Sequence, residues 1–302
     1  MPCFGPLTAY RPRRDAGDNR LVFKKTESET GIPIKVPCGK CPGCKLEQSR
    51  QWAVRCMHEK RLHTDSCFIT LTYDDAHIPP GNQLVKSDLQ KFMKRLIKFK
   101  RSHNDLSSTR FFACGEYGET TSRPHYHVLL LNTDFTDKKI IKSGSEYNLY
   151  ASATLSKLWT LGHHALGDVT FESAAYVARY CMKKNQNGKK TTGVPEFIQM
   201  SRRPGIGSGY FQKFQSELIS HDTIIVNGLP AALPRFYNNK LAGLTLMSET
   251  SEISLYTRME LLKLKRRRKL TSPLSRADRT QRRLRIREVV TLAKLNLKVK
   301  TL

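Results

Sequence analysis

Apolar positions along the chain recur first at helical spacing, then alternate, then return to helical spacing, and this order predicts the elements. In EQSRQWAVRCMHEKRLH (47–63), Trp52, Cys56, Glu59 and His63 fall on one face and Ala53, Met57 and Lys60 on its neighbour, the period of a helix with a partly apolar stripe. SCFITLTYDD (66–75) alternates and is rich in β-branched and aromatic residues, which predicts a strand. SDLQKFMKRLIKFKRS (87–102) predicts a helix, with Leu89, Phe92, Met93, Leu96 and Ile97 at helical spacing behind Ser87 as a cap. TRFFACGEYG (109–118) and RPHYHVLLLN (123–132) are strand-like runs joined by the polar link ETTS, the pattern of a hairpin. A polar link, a short helix near 151–161, a strand in HALGDVTF (164–171) and a helix in ESAAYVARYCMKKN (172–185) complete this region.

The flanks differ. Residues 1–45 are rich in Pro, Gly and charge with little periodicity, residues 186–210 read as a Gly-rich basic loop, and from about 253 the chain reads as basic helices without a core of their own. The expected organisation is an irregular N-terminal segment (1–45), a main domain (46–215) and a basic helical C-terminal region (216–302). Strands and helices mixed in this order, with an adjacent hairpin, predict an α+β fold: a central antiparallel sheet with flanking helices. No internal repeat is present.

Composition narrows the partner. Across 302 residues, 52 Lys and Arg against 26 Asp and Glu leave a formal charge of +26, beyond what solubility requires. Such an excess points to a polyanion, and the spread of basic residues among aromatics favours nucleic acid over a membrane surface. Apolar runs such as HVLLL are too short to cross a bilayer, and MPCFGPLTAYRPRR lacks the apolar core of a signal peptide, so a soluble, non-secreted protein is expected. Of eight cysteines, Cys56, Cys67, Cys114 and Cys181 lie singly in periodic segments and read as small buried apolar residues of a reducing compartment.

Candidate chemistry lies in three places. Residues i and i+2 of a strand share a face, so His125 and His127 present two imidazoles together, and the hairpin brings Glu116 beside them. Alone, such a pair is most simply coincidental. Two polar rings opening an apolar strand need partners, however, and an opposing carboxylate supplies a set suited to a divalent transition metal or to Mn²⁺ or Mg²⁺. In the helix 172–185, Tyr176, Tyr180 and Lys183 line one stripe, a nucleophilic set if it stands beside a metal, although an aromatic stripe often only packs. CGKCPGC is two overlapping CxxC pairs whose turns can bring Cys38, Cys41 and Cys44 onto one ion, and tetrahedral zinc then needs a fourth ligand, with Cys3 as first choice and His58 or His63 as second. Such a structural zinc would pin the N-terminal segment, the simpler alternative being free thiols.

The ordered set FITLTY, GEYG with RPHYH, and YVARYCMKK resembles the three motifs of rolling-circle replication initiators, the HUH endonucleases. With MPCFGPLTAYR, PCGKCPGC and SRRPGIGSGY, the chain is similar over most of residues 1–215 to the replication initiation proteins of gokushoviruses, small single-stranded DNA phages of the Microviridae. The resemblance implies a sheet carrying the histidine pair, a facing helix carrying the tyrosines, and nicking of single-stranded origin DNA. It matches His125 and His127 to the paired metal ligands, Glu116 to the acidic ligand, Tyr176 and Tyr180 to the nucleophiles, and Lys183 or adjacent Lys184 to the lysine of the family pattern. It further implies host helicase and polymerase as partners and the host bacterial cytoplasm as the place of action. The competing reading is a non-catalytic, zinc-containing nucleic-acid-binding regulator in which the histidines and tyrosines only pack.

Overall fold

A computed structural model describes residues 3–13, 20–118, 120–144, 148–180, 193–226, 228–244, Leu264, Arg268, 272–273 and 277–299. The chain divides into two compact units, residues 49–249 and residues 1–48 with 250–302.

The larger unit is α+β, around a seven-stranded sheet. Its strands are β3 (Ser66–Tyr73), β4 (Arg110–Tyr117), β5 (Pro124–Leu131), β6 (Lys138–Lys142), β7 (Leu149–Ser152), β8 (Gly162–Gly167) and β9 (Phe197–Met200). They lie in the order β6-β7-β8-β3-β5-β4-β9, and each neighbouring pair is antiparallel. The alternation of SCFITLTY is real: Cys67, Ile69, Leu71 and Tyr73 are buried on one face of β3. On that face α2 (Lys86–Ser102) packs Leu89, Phe92, Met93 and Leu96, joined by Leu155, Leu158 and Trp159 in and after α3 (Ala153–Leu158).

The opposite face is covered over β4 and β5 by the helix α1 (Pro42–Lys60), through Ala53 and Cys56, and by α4 (Phe171–Tyr180), through Ala174, Val177 and Ala178. β5 is therefore buried on both sides, which is why its sequence reads as a nearly continuous apolar run.

The hairpin of β4 and β5 forms as the pattern predicts, with Glu116 opposite His125 and Cys114 opposite His127. Other boundaries moved. α2 begins at Lys86 without a side-chain cap from Ser87, because the Val85 N–H is held by the Tyr126 hydroxyl at 3.1 Å and fixes the chain where the helix starts. The short helix expected near 151–161 occupies 153–158 with Ser152 as its cap, its Oγ accepting from Leu155 N. β8 starts earlier than expected, at Gly162, whose φ of 146° and contact with the β3 end admit no side chain: a Cβ there would overlap the Thr72 carbonyl and the Asp74 amide. The segment 186–210 was expected to be loop, but its described part contains the edge strand β9 and leads into α5 (Ser208–Lys213). β6 and β7 form in the polar link. Beyond residue 215 the unit continues through α6 (Gln215–His221), the hairpin β10 (Thr223–Val226) and β11 (Leu229–Ala232), and α7 (Arg235–Leu244).

In the smaller unit, β1 (Leu7–Ala9) pairs antiparallel with β2 (Ile34–Val36), a short ordered element in a segment expected to be irregular. The expected C-terminal basic helix is present as α8 (Gln281–Val299), while most of 253–270 lies outside the described residues. Among the described residues no helix is long and apolar enough to cross a membrane.

Candidate metal centre and tyrosine helix

The centre sits on the α4 side of the sheet. Along β5, His125 and His127 face α4 while Tyr126 between them is buried against α2. Both imidazole Nε2 atoms converge on one carboxylate oxygen: His125 Nε2 lies 2.8 Å and His127 Nε2 2.9 Å from Glu116 Oε1. The Tyr176 hydroxyl donates to the same oxygen at 3.3 Å, and its ring meets His127 edge-on at 5.1 Å. Glu116 is 2 % exposed, and its second oxygen, Oε2, is buried with no hydrogen-bond partner among the described residues.

The far side of each imidazole is also held. His125 Nδ1 lies 3.0 Å from the Arg123 carbonyl, which can only accept, so Nδ1 carries the proton and Nε2 is left to face the centre. His127 Nδ1 lies 2.9 Å from Thr70 Oγ1, and the ring stacks on Phe68 at 5.5 Å. Metal-binding histidines are oriented in this way by a partner on the other nitrogen. Burial pushes the Glu116 carboxyl up, but hydrogen bonding to His125 and His127 outweighs it and keeps the group below the ordinary carboxylate range. Burial opposes charge on both histidines: it holds His127 below its ordinary value, whereas on His125 the bond to Glu116 prevails and raises it.

The three ligand atoms lie within 4.8 Å of one another, so Glu116, His125 and His127 can hold a metal. The fit is chemical as well as geometric. Two imidazole nitrogens and a buried carboxylate with an unpartnered oxygen form a donor set that a divalent cation satisfies at once.

α4 carries Tyr176 to this point through its own sequence. Thr170 and Ser173 cap each other reciprocally, Ser173 N donating to Thr170 Oγ1 at 3.1 Å and Thr170 N to Ser173 Oγ at 2.9 Å. Ala174, Val177 and Ala178 turn the helix onto Phe112, Cys114 and Leu129, and Ser49 Oγ donates to the Ala175 carbonyl at 2.8 Å. The rotation so fixed aims position 176 at Glu116. Tyr180 closes the helix, but its side chain lies outside the described residues, as do Lys183, Lys184 and Cys181. Thr70 and the Thr170–Ser173 box carried no role in the sequence reading. The signal for Thr70 was its place among Phe68, Thr70 and Thr72, the alternate face of an otherwise apolar strand.

The cysteine cluster is a second candidate centre. The thiols of Cys3, Cys38, Cys41 and Cys44 lie within 4.8 Å of one another, with Cys38 and Cys44 sulfurs 4.0 Å apart and Cys41 and Cys3 sulfurs 3.9 Å apart. The edge of a tetrahedron with bonds of ~2.3 Å is ~3.8 Å, so this spacing suits one four-coordinate ion. Amides point at the sulfurs: Cys38 N to Cys3 Sγ and Cys41 N to Cys38 Sγ, each at 3.3 Å, and Phe4 N to Cys41 Sγ at 3.4 Å. Burial pushes the Cys38 thiol up, yet the Cys41 and Lys40 amides outweigh it and bring it to about 7, while burial keeps Cys3 and Cys44 raised. Cys3 thus occupies the fourth position. His58 and His63 do not: His58 stacks on Tyr210 at 3.8 Å, and His63 Nε2 faces Glu59 at 3.8 Å. The single cysteines Cys56, Cys67 and Cys114 are fully buried.

Residues 66–185, which span the three motifs, match the family model for replication-associated protein ORF2/G2P. The chain is 33 % identical to replication-associated protein VP4 of Bdellovibrio phage phiMH2K, over 79 % of this chain and 76 % of that one. It is 36 % identical to replication-associated protein ORF2 of Spiroplasma virus 4, over 64 % and 62 %, and 28 % identical to ORF4 of Chlamydia phage 1, over 72 % and 55 %. The chain therefore spans less than two thirds of the latter two proteins. No solved structure matches it.

Proposed function

This chain belongs to the phage replication-associated proteins of the gokushovirus type, and we propose that it starts rolling-circle replication by nicking single-stranded origin DNA through a tyrosine of α4. The observation that carries the reading is the convergence of His125 Nε2, His127 Nε2 and the Tyr176 hydroxyl on Glu116 Oε1, all within 3.3 Å. In this reading the sheet is of the HUH type, and His125, His127 and Glu116 hold Mg²⁺ or Mn²⁺. When bound, the ion polarises the scissile phosphoryl group and offsets the charge that builds on it.

The remaining chemistry belongs to the side chains. An ordinary phenol, with a pKa of ~10, is mostly protonated at neutral pH, so its position decides its reactivity. Tyr176 is held with its O–H directed at an ionised, buried carboxylate, which favours loss of that proton as the oxygen approaches phosphorus. The new O–P bond leaves the 5′-phosphate on the tyrosine. The bond from phosphorus to the 3′ oxygen breaks, and that oxygen takes a proton to become the 3′-OH primer. Lys183 is our candidate for stabilising the phenolate. Tyr180, one turn on and ~6 Å along the helix axis, is the second nucleophile, which resolves the product after a round of synthesis. In the bacterial cytoplasm a host helicase would separate the strands and a host polymerase would extend the 3′-OH primer. The cysteine cluster, in this reading, binds a structural zinc and takes no part in the reaction.

The test is Mn²⁺-dependent cleavage of single-stranded phage DNA by the full chain, with covalent adducts resolved on denaturing gels. Each single Tyr→Phe variant should retain some adduct, and Tyr176→Phe with Tyr180→Phe should form none. His125→Ala with His127→Ala should lose cleavage while keeping most DNA affinity. DNA binding with zinc present but no cleavage under any divalent ion would favour the non-catalytic regulator instead.

A further inference from the structure

Among the described residues, helices cover the α4 side of the sheet over β4 and β5 but not over β8, β7 and β6. In this half Ala165, Ala151 and Leu149 are only half-buried, and His163, Lys139 and Lys142 are exposed. β8 and β7 are closed on the other face, where Leu166 is buried with Trp159 and Tyr150 packs against them, while the edge strand β6 is exposed on both faces, at Ile140 as well as at its lysines. Strands interior to a sheet with one face closed and the other open present a binding surface.

We propose that this open half is the track that seats single-stranded DNA running to or from the metal centre. The inference deepens the nickase reading and rests on it for which strand is bound. Its first support is continuity. His127 pairs with Thr70 and Thr70 with Ala165; Tyr150 pairs with Leu166, which sets Ala151 beside Ala165; and Ala151 pairs with Lys139. One lateral row thus leads from the centre to the sheet edge, four strand spacings or ~19 Å away. A parallel row runs from Glu116 and His125 through Thr72 to the exposed His163.

The second support is charge. The irregularity in β6 between Ile140 and Lys142 inserts one residue, so that Lys142 pairs with Leu149 and joins Lys139 on the open face. Bulges re-aim side chains in this way, and here the effect is a second cation at the end of the row. β6, β7 and β8 contain no Asp or Glu. Between centre and edge the row has only Thr and Ala side chains, so a sugar-phosphate backbone can lie close to the sheet with its phosphates reaching the lysines.

The experiment measures binding of the full chain to fluorescent oligo(dT) about 30 nucleotides long, in chelator so that cleavage cannot contribute. Lys139→Glu with Lys142→Glu should weaken binding about tenfold and lower the slope of log affinity against log salt by ~1.4, the value for two lost phosphate contacts on a single strand. The control, Lys94→Glu with Lys98→Glu, makes the same charge change on exposed residues of α2, on the opposite face of the sheet, and should have much the smaller effect. Ala165→Leu, which raises a side chain in the row without altering charge, should weaken binding at unchanged melting temperature. Equal losses from the two double variants, or no loss from the first, would overturn the track. Nicking in Mn²⁺ is scored separately, so a chain that binds through Lys139 and Lys142 yet never cleaves would retain the track and lose the nickase reading.

Discussion

Replacing His58 by Phe should invert the acid stability of the protein relative to wild type. His58 is 9 % exposed on α1, stacked on Tyr210 at 3.8 Å, with Nδ1 2.9 Å from the Tyr237 hydroxyl. Burial, with a smaller contribution from Arg61, lowers its pKa to about 4. The unfolded chain, with histidine near ~6.5, takes up the proton first as pH falls. More protons bound by the unfolded state means that stability drops as the pH drops, so the contribution is intact above about pH 6.5 and is lost progressively toward pH 4. At ~1.36 kcal/mol per unit, the loss between pH 7 and pH 5 is about 2 kcal/mol. His58→Phe keeps the aromatic stack and removes the hydrogen bond to Tyr237, a cost of about 1 kcal/mol at neutral pH. Urea denaturation should therefore find the variant less stable than wild type at pH 7 and more stable at pH 5, by about 1 kcal/mol each way. All other titrating groups cancel in the difference. Parallel stability curves for the two proteins would refute the reasoning.

Thr70→Val removes the partner of His127 Nδ1 and should weaken Mn²⁺ affinity about tenfold or more, read by calorimetry, with little change in DNA affinity in chelator. Cys44→Ser should abolish bound zinc, measured by mass spectrometry of protein purified under reducing, chelator-free conditions; wild-type protein without zinc would end that assignment. Gly162→Ala forces a Cβ into the Asp74 amide and Thr72 carbonyl at a φ of 146° and should cost about 2 kcal/mol or more in denaturant titrations.

How far the site could be read in advance follows from how local its geometry is. His125 and His127 share a face by the two-residue period of a strand, and Glu116 reaches them through a hairpin whose link is four residues in the sequence, so this triad was legible. Thr70 was not. Its contact with His127 depends on β3 pairing with β5 across 57 positions of sequence, which no local pattern encodes. The strands β6, β7 and β9 were missed for a related reason. Each is short, and KKIIK or FIQM becomes strand only because a neighbour offers unpaired backbone groups. Cys3 is far from the other cysteines in sequence, and it is the pairing of β1 with β2, which no local pattern in residues 1–45 encodes, that turns the chain back between Cys3 and Cys38 and sets Leu7 opposite Val36.

The histidines face the centre because the residue between them is held on the other side of the sheet. The Tyr126 hydroxyl accepts from the Val85 amide at 3.1 Å and lies 2.7 Å from that of Tyr73, which in turn donates to Asp88 Oδ2 at 2.9 Å in the first turn of α2. The segment His-Tyr-His is therefore fastened on both faces: two imidazoles to Glu116, one phenol to the start of α2. A slip of β5 by one residue would bring Tyr126 to the carboxylate and put both imidazoles into the apolar cluster around Leu89 and Trp159. That slip would cost the Tyr126 hydrogen bonds and bury two imidazoles without partners, each a penalty of order 1 kcal/mol or more. Because all of these penalties act against the same displacement, the convergence of His125 and His127 on Glu116 is set by the core on the far side of the sheet.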